Sequence, residues 1–213
     1  MNIQLSDHFN YKKLFLFTLP SVVMMVFTSV YCVVDGFFVS NFAGKTAFAA
    51  INLIMPFIMI LGGIGFMIGT GGSALVSYTL GTGDKEKANR YFSMMVYFTI
   101  LAGILLTVLG IIFVRPMAEL FGADESMMDT CVLYGRIVIA FNAAFMLQNI
   151  FQSFFVVAEK PRLGLIVTIA AGVTNMVLDA LFVWVFKWGI VGAALATGIS
   201  QSIGGLLPLL YFA

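Results

Sequence analysis

Six long, predominantly apolar runs account for most of this chain of 213 residues; they lie near residues 14–40, 50–80, 91–114, 131–157, 163–186 and 190–213. About 20 apolar residues in a helix cross the hydrocarbon core of a bilayer, so each run is long enough to span. Within lipid every backbone N–H and C=O must be paired internally, which leaves only helices and closed barrels. A barrel is excluded because the runs are continuously apolar and do not alternate in segments of about ten residues. The expected fold is an all-α integral membrane bundle of six transmembrane helices. Composition agrees, with 61% hydrophobic and 10% charged residues, against about 25% charged in soluble domains. The second run is long enough for an interfacial lead-in before Pro56 or for a tilt. Residues 1–13 read as a polar tail ending in Lys12-Lys13. The apolar run that follows exceeds the roughly 7 to 15 residues of a signal-peptide core, so it reads as an uncleaved first span.

Charge gives the chain a direction. Lys12, Lys13, Lys85, Lys87, Arg90, Lys160 and Arg162 fall on one side of the spans, and Lys45, Arg115, Arg136 and Lys187 on the other. The positive-inside rule then places the N-terminus in the cytoplasm of a cell whose plasma (inner) membrane holds the protein. A net charge of +1 with scattered bases offers no field for nucleic acid. Cys32 and Cys131 lack the spacing of a disulfide framework or metal cluster, and His8, the only histidine, sits in the polar tail; none is given a chemical role. No nucleophile, base and orienting group assemble at readable spacing, so an enzyme is not expected.

The acids are more informative. Of ten, eight fall in loops or tails, and only Asp35 and Asp179 lie inside spans. A charge near the bilayer centre costs roughly 2.5 to 3.5 kcal/mol on insertion scales, so such acids face a partner or a cavity and mark ion paths. Asn175 precedes Asp179 by one helical turn and shares its face. Thr28, Tyr31 and Asp35 form a polar stripe on the first span. The alternatives are an interfacial, snorkelling Asp35 and a purely structural Asp179. Pro20 interrupts the first helix and serves either as a hinge or as a static bend; it lies about 22 Å from Asp35 along a straight helix.

Between Gly62 and Ser73 the second span carries small residues at helical spacing, a pattern for close helix packing. In the fourth span Tyr134, Asn142, Gln148, Asn149 and Gln152 must face protein or water, through interhelical hydrogen bonds or a cavity. Thr197 and Gln201 share a face of the sixth span beside Ser200. Hydroxyl, amide and carboxylate oxygens together suit a hard cation such as Na⁺, or a proton shared between the acids.

Several segments carry a family resemblance: Leu19-Pro20 with Val34-Asp35-Gly36, Gly71-Gly72-Ser73-Ala74-Leu75-Val76-Ser77 leading to Leu80-Gly81-Thr82-Gly83-Asp84, and Gln152-Ser153-Phe154-Phe155 leading to Glu159-Lys160-Pro161. The most specific runs from Asn175 through Asp179 to Gly189-Ile190-Val191-Gly192-Ala193-Ala194-Leu195-Ala196-Thr197. In these the chain resembles the N-terminal six-helix lobe of multidrug and toxic compound extrusion (MATE) transporters. The resemblance implies one lobe of a twelve-helix secondary active transporter that exports amphipathic, often cationic drugs in exchange for H⁺ or Na⁺, with no other cofactor. It implies cation coupling at Asp35, Asn175, Asp179 and Thr197, where Na⁺ would be the metal, and a substrate cavity lined by Tyr31, Tyr134 and Asn149. The family has two lobes and this chain stops at Ala213 with one, so it reads as a half-molecule or incomplete sequence that needs a C-terminal lobe or a second copy of itself. A lipid-linked saccharide flippase of the same superfamily is the alternative transporter, although that chemistry wants a cationic cavity and the spans hold only Arg136, near one end. A non-transporting membrane scaffold is the alternative outside transport. The coupling site requires the first, fifth and sixth spans to meet, which sequence does not establish.

Overall fold

The computed structural model describes residues 10–212; His8 and most of the expected tail, residues 1–9, lie outside the described residues. The architecture is all-helical. In chain order the helices are α1 (Tyr11–Phe38), α2 (Lys45–Gly81), α3 (Lys85–Leu120), α4 (Glu125–Ala140), α5 (Asn142–Val157), α6 (Pro161–Asp179) and α7 (Gly189–Phe212). Two π-helical segments, Val39–Ala43 and Ala180–Val185, continue α1 and α6.

The helices outrun the apolar stretches that mark them. α2 has 37 residues and α3 has 36, which is about 55 Å each against a hydrocarbon core of about 30 Å. Hydropathy marks the lipid boundary, whereas i to i−4 bonding continues wherever the backbone allows. The connection expected over residues 81–90 therefore shrinks to Thr82–Asp84: Gly83 turns the chain at φ +86, and Asp84 caps α3 by accepting from the Lys87 N–H at 3.0 Å. Arg115 and Glu119, expected in a loop, form an exposed pair at 3.6 Å in the last turns of α3.

Asp124 caps α4 in the same way, accepting from Ser126 Oγ at 2.7 Å and the Met127 N–H at 2.9 Å. The Ser126 hydroxyl first, then the Met127 amide, hold its carboxyl below the usual carboxylate range. A lowered value in the folded state means the cap is fully formed above the ordinary carboxylate value and is lost as pH falls through the folded one. Asp124→Ala is accordingly expected to speed amide exchange at Ser126 and Met127 at neutral pH, with the difference from wild type vanishing in acid; an equal effect at both pH values would contradict the cap.

The fourth apolar run, expected as a single span over residues 131–157, is two helices bent by 54° at Phe141. No proline explains the bend. The Phe141 ring occupies the space that a Cβ on Gly198 of α7 would need, so a side chain wedged against a neighbouring helix fixes the angle. Small residues also seat α2 on α5: a Cβ on Gly65 would come 2.6 Å from Met146 Cα, and one on Gly69 would come 2.9 Å from Ile150 Cα.

Around these contacts α2 packs on α3, α4 and α5, α7 packs on α4, α5 and α6, and α1 leans on α6. One apolar core joins Ile54, Leu61, Val114, Tyr134 and Ile139; another, rich in aromatics, gathers Phe151, Phe154 and Phe155 with Phe92 and Phe212. No residue of α1 is fully buried. Its outward face is a row of large apolar side chains including Val22, Met25, Val26 and Val33.

Candidate functional site

Asp35 lies in the last turn of α1 and Asp179 ends α6, each followed by or close before a π-helical segment. The Phe186 N–H bonds to Leu181 O at 2.8 Å, an i to i−5 bond, and the two π segments pack together with Phe42 and Trp184 ring centroids 6.3 Å apart. Widened turns of this kind are frequent at functional sites. Sequence offered no sign of them.

Gly172 brings the two acids together. A Cβ there would come 2.5 Å from Phe27 Cε1 and 2.9 Å from Tyr31 Cδ1, so glycine lets α1 lie directly on α6. Asp35 and Asp179 then interact directly through their carboxyl groups. The approach is not a hydrogen bond of ordinary geometry: Asp35 Oδ1 and both Asp179 oxygens are buried without a partner. Asp179 is completely buried and Asn175 nearly so, at 2% exposure. From α4, Tyr134 reaches the same place and meets the Thr197 side chain of α7.

These groups surround a cavity of about 100 Å³ whose wall includes Tyr31, Asp35, Tyr134, Asn175 and Thr197. Five of the expected site residues are thus in one wall, and Asp179 joins through Asp35. Asn149 is elsewhere: its Nδ2 donates to Gly62 O at 3.2 Å across the α5 to α2 contact, and the cavity wall contains its neighbour Gln148 instead. Adjacent residues on a helix point about 100° apart, and the bend at Phe141 sets which of them faces inward. Pro20 lies inside unbroken α1, far from the cavity. Gln201 and Ser200 complete the wall. Their sequence signal was present, polar groups in an apolar span, but their helical phase was not.

Chemically the cavity is rich in acceptors. Besides the carboxylate oxygens, Asn175 Oδ1, Gln148 Oε1 and Gln201 Oε1 are buried and unpartnered. A buried acceptor without a donor costs about 1 to 3 kcal/mol, and more when charged, so the arrangement calls for a proton or a cation. Among the described residues no three His, Cys, Asp or Glu side chains cluster as a transition-metal site would require. Two carboxylates with neutral oxygens suit a hard monovalent ion. The volume accommodates an ion with a little water but not a drug, whose sites run to about 300 to 1,000 Å³. On its other side Asp35 lines an open groove of about 560 Å³ between α1 and α2, with Cys32, Phe37, Phe48, Asn52 and Met55.

The MatE family model matches residues 20–181, three quarters of the chain, with Asp35, Asn175 and Asp179 inside the match. The chain belongs to the MatE family. Among curated proteins, the multidrug export protein MepA of Staphylococcus saprophyticus and that of Staphylococcus haemolyticus are each 25% identical over 202 residues, covering 95% of this chain and 45% of the relative. Crystal structures of MATE in the bent and straight conformations superpose with TM-scores of 0.86 and 0.87 at 22% identity, over 94% of this chain and 45% and 44% of theirs. A MOP superfamily transporter from Pyrococcus furiosus gives 0.87 at 22% identity over 94% of this chain and 44% of its own. These structural likenesses establish the MATE lobe fold. The chain spans just under half the length of the curated relatives it matches.

Proposed function

We propose that this MatE chain is the N-terminal lobe of a cation-coupled antiporter that exports amphipathic, often cationic drugs in exchange for H⁺ or Na⁺. The observation that carries the reading is the set of unpartnered acceptor oxygens on Asp35 and Asn175 in one cavity wall and on Asp179 against Asp35. Thr197 adds a hydroxyl oxygen, and Tyr31 and Tyr134 line the same wall. An ion in the cavity draws Asp35 toward Asp179 and so holds α1 on α6. Without it the two carboxylates repel, and α1, which buries no side chain completely, is the helix free to move, with Pro20 as the hinge. Because Asp35 is shared by the ion cavity and the open groove, ion binding changes the charge and shape presented to a drug in that groove.

Alternating access works by rocking one repeat against another, so the lobe acts with a C-terminal lobe or a second copy of itself, which closes the groove. The relatives' greater length supports this arrangement. The distribution of bases supports a cytoplasmic N-terminus in the plasma membrane. A flippase for phosphate-bearing lipids is disfavoured, because Arg136 is exposed and the cavity wall contains no base.

The test uses vesicles reconstituted with the lobe and its complementary half and loaded with a fluorescent cationic dye. An imposed Na⁺ or proton gradient is expected to drive dye across the membrane, and collapsing the gradient to stop it. Dye movement indifferent to both gradients would overturn the reading.

A further inference from the structure

Besides Asp35, Asn175 and Thr197, the cavity wall holds two amides and a hydroxyl that the coupling reading does not use. Gln148 is 8% exposed and its Oε1 has no partner. Its amide fits only because residue 204 is glycine: a Cβ there would come 2.6 Å from Gln148 Cδ and 2.9 Å from Nε2. Gln201 precedes Gly204 by one turn of α7 and so shares its side of the helix, and Gln201 Oε1 is likewise buried and unpartnered. Ser200 is 6% exposed and spends its only donor on Thr197 O at 2.8 Å. Its oxygen therefore presents lone pairs alone. All three line the cavity, and among the described residues no Lys or Arg does.

We infer that Gln148, Gln201 and Ser200 form a second, uncharged cation niche in this cavity, which takes a partly hydrated monovalent cation beside the carboxylate pair. The inference rests on the reading of the cavity as a cation site and adds neutral ligands to it. Amide and hydroxyl oxygens are too weakly basic to hold a proton, so the niche serves a metal ion. Without a carboxylate of its own it cannot repay the dehydration of a divalent ion, whereas Na⁺ is held well by neutral carbonyl and hydroxyl oxygens and water. The nearby Asp35 and Asp179 supply the negative field that draws the ion in. The niche thus makes the site selective for Na⁺ over protons, a distinction that the carboxylates by themselves do not make.

The experiment is calorimetric titration of NaCl into the purified chain in detergent, at constant ionic strength set by choline chloride, with thermal unfolding read in parallel. Four proteins are compared: wild type, Gln148→Leu with Gln201→Leu, Asp35→Asn with Asp179→Asn, and the combination of all four changes. The glutamine pair is expected to weaken Na⁺ binding about tenfold while leaving the melting temperature in choline unchanged. The aspartate pair is expected to retain weak, saturable Na⁺ binding that the combined variant loses. If the leucine pair fails to fold, Gln148→Met with Gln201→Met keeps the side-chain length without a hard oxygen and carries the same comparison. Na⁺ binding unchanged by the glutamine substitutions would overturn the niche and would leave the carboxylate site standing. A wild-type protein that neither binds Na⁺ nor is stabilised by it at any pH would overturn the niche; loss of gradient-driven dye transport as well would be needed to overturn the proposed function.

Discussion

Asp179→Asn is expected to abolish ion-driven efflux while leaving the lobe folded. Asparagine has nearly the same shape and can fill the same fully buried position, so packing is conserved. What disappears is a full negative charge beside the ion. At about 4 Å and an effective dielectric of about 20 that attraction is worth about 4 kcal/mol, or roughly a thousandfold in ion affinity. Both Asp179 oxygens lack protein partners, so no network of hydrogen bonds collapses with the change. Removal of an ionisable group from a span also relieves part of the roughly 2.5 to 3.5 kcal/mol that such a group costs on insertion. Thermal unfolding without the coupling ion should therefore be unchanged or slightly raised, while gradient-driven dye transport falls to background. Asp35→Asn is expected to act in the same direction but less strongly, because Asp35 is only half-buried. Wild-type gradient dependence in Asp179→Asn would remove this residue from the coupling site.

Gly172→Leu is expected to damage both stability and ion binding, through geometry and not charge. Even a single Cβ would stand 2.5 Å from the Phe27 ring and 2.9 Å from Tyr31, and leucine adds three carbons more. Overpacking in a filled interface costs about 1 to 3 kcal/mol. Here α1 has another way out: since none of its residues is fully buried, it can lift from α6, and Asp35 then leaves Asp179. Gly71→Leu on α2 is the control, since nothing lies within 4 Å of a Cβ at that position. Thermal unfolding and Na⁺ titration of the two variants make the comparison. Equal effects would mean that general disturbance of a glycine-rich bundle, and not the seat of α1, is being measured.

Much of this protein is legible without its structure, because some physical constraints are local. The thickness of the hydrocarbon core sets the length of an apolar run, so the spanning segments show in sequence even though α2 and α3 continue beyond them. The expense of a charge in lipid is likewise a property of one residue and its flanks, which is why Asp35 and Asp179 stand out from the other acids. The glycines of α2 announce close packing because a missing side chain has few other uses in a span.

Other features exist only in three dimensions. Whether Gln148 or Asn149 faces the cavity depends on the rotation of α5, which is set by the bend at Phe141 and by the space that Gly198 leaves for its ring. The π-helical segments beside both acids depend on packing against each other, and no residue type encodes them. That α1 lies on α6 rests on Gly172, which leaves room for Phe27 and Tyr31 from more than a hundred positions away. Hydropathy and helical period are read within one turn or one span, so sequence alone determined which residues are costly in a membrane. Helical phase and approach are settled by side chains from distant spans filling common space, so only the tertiary structure decided which of those residues share a site.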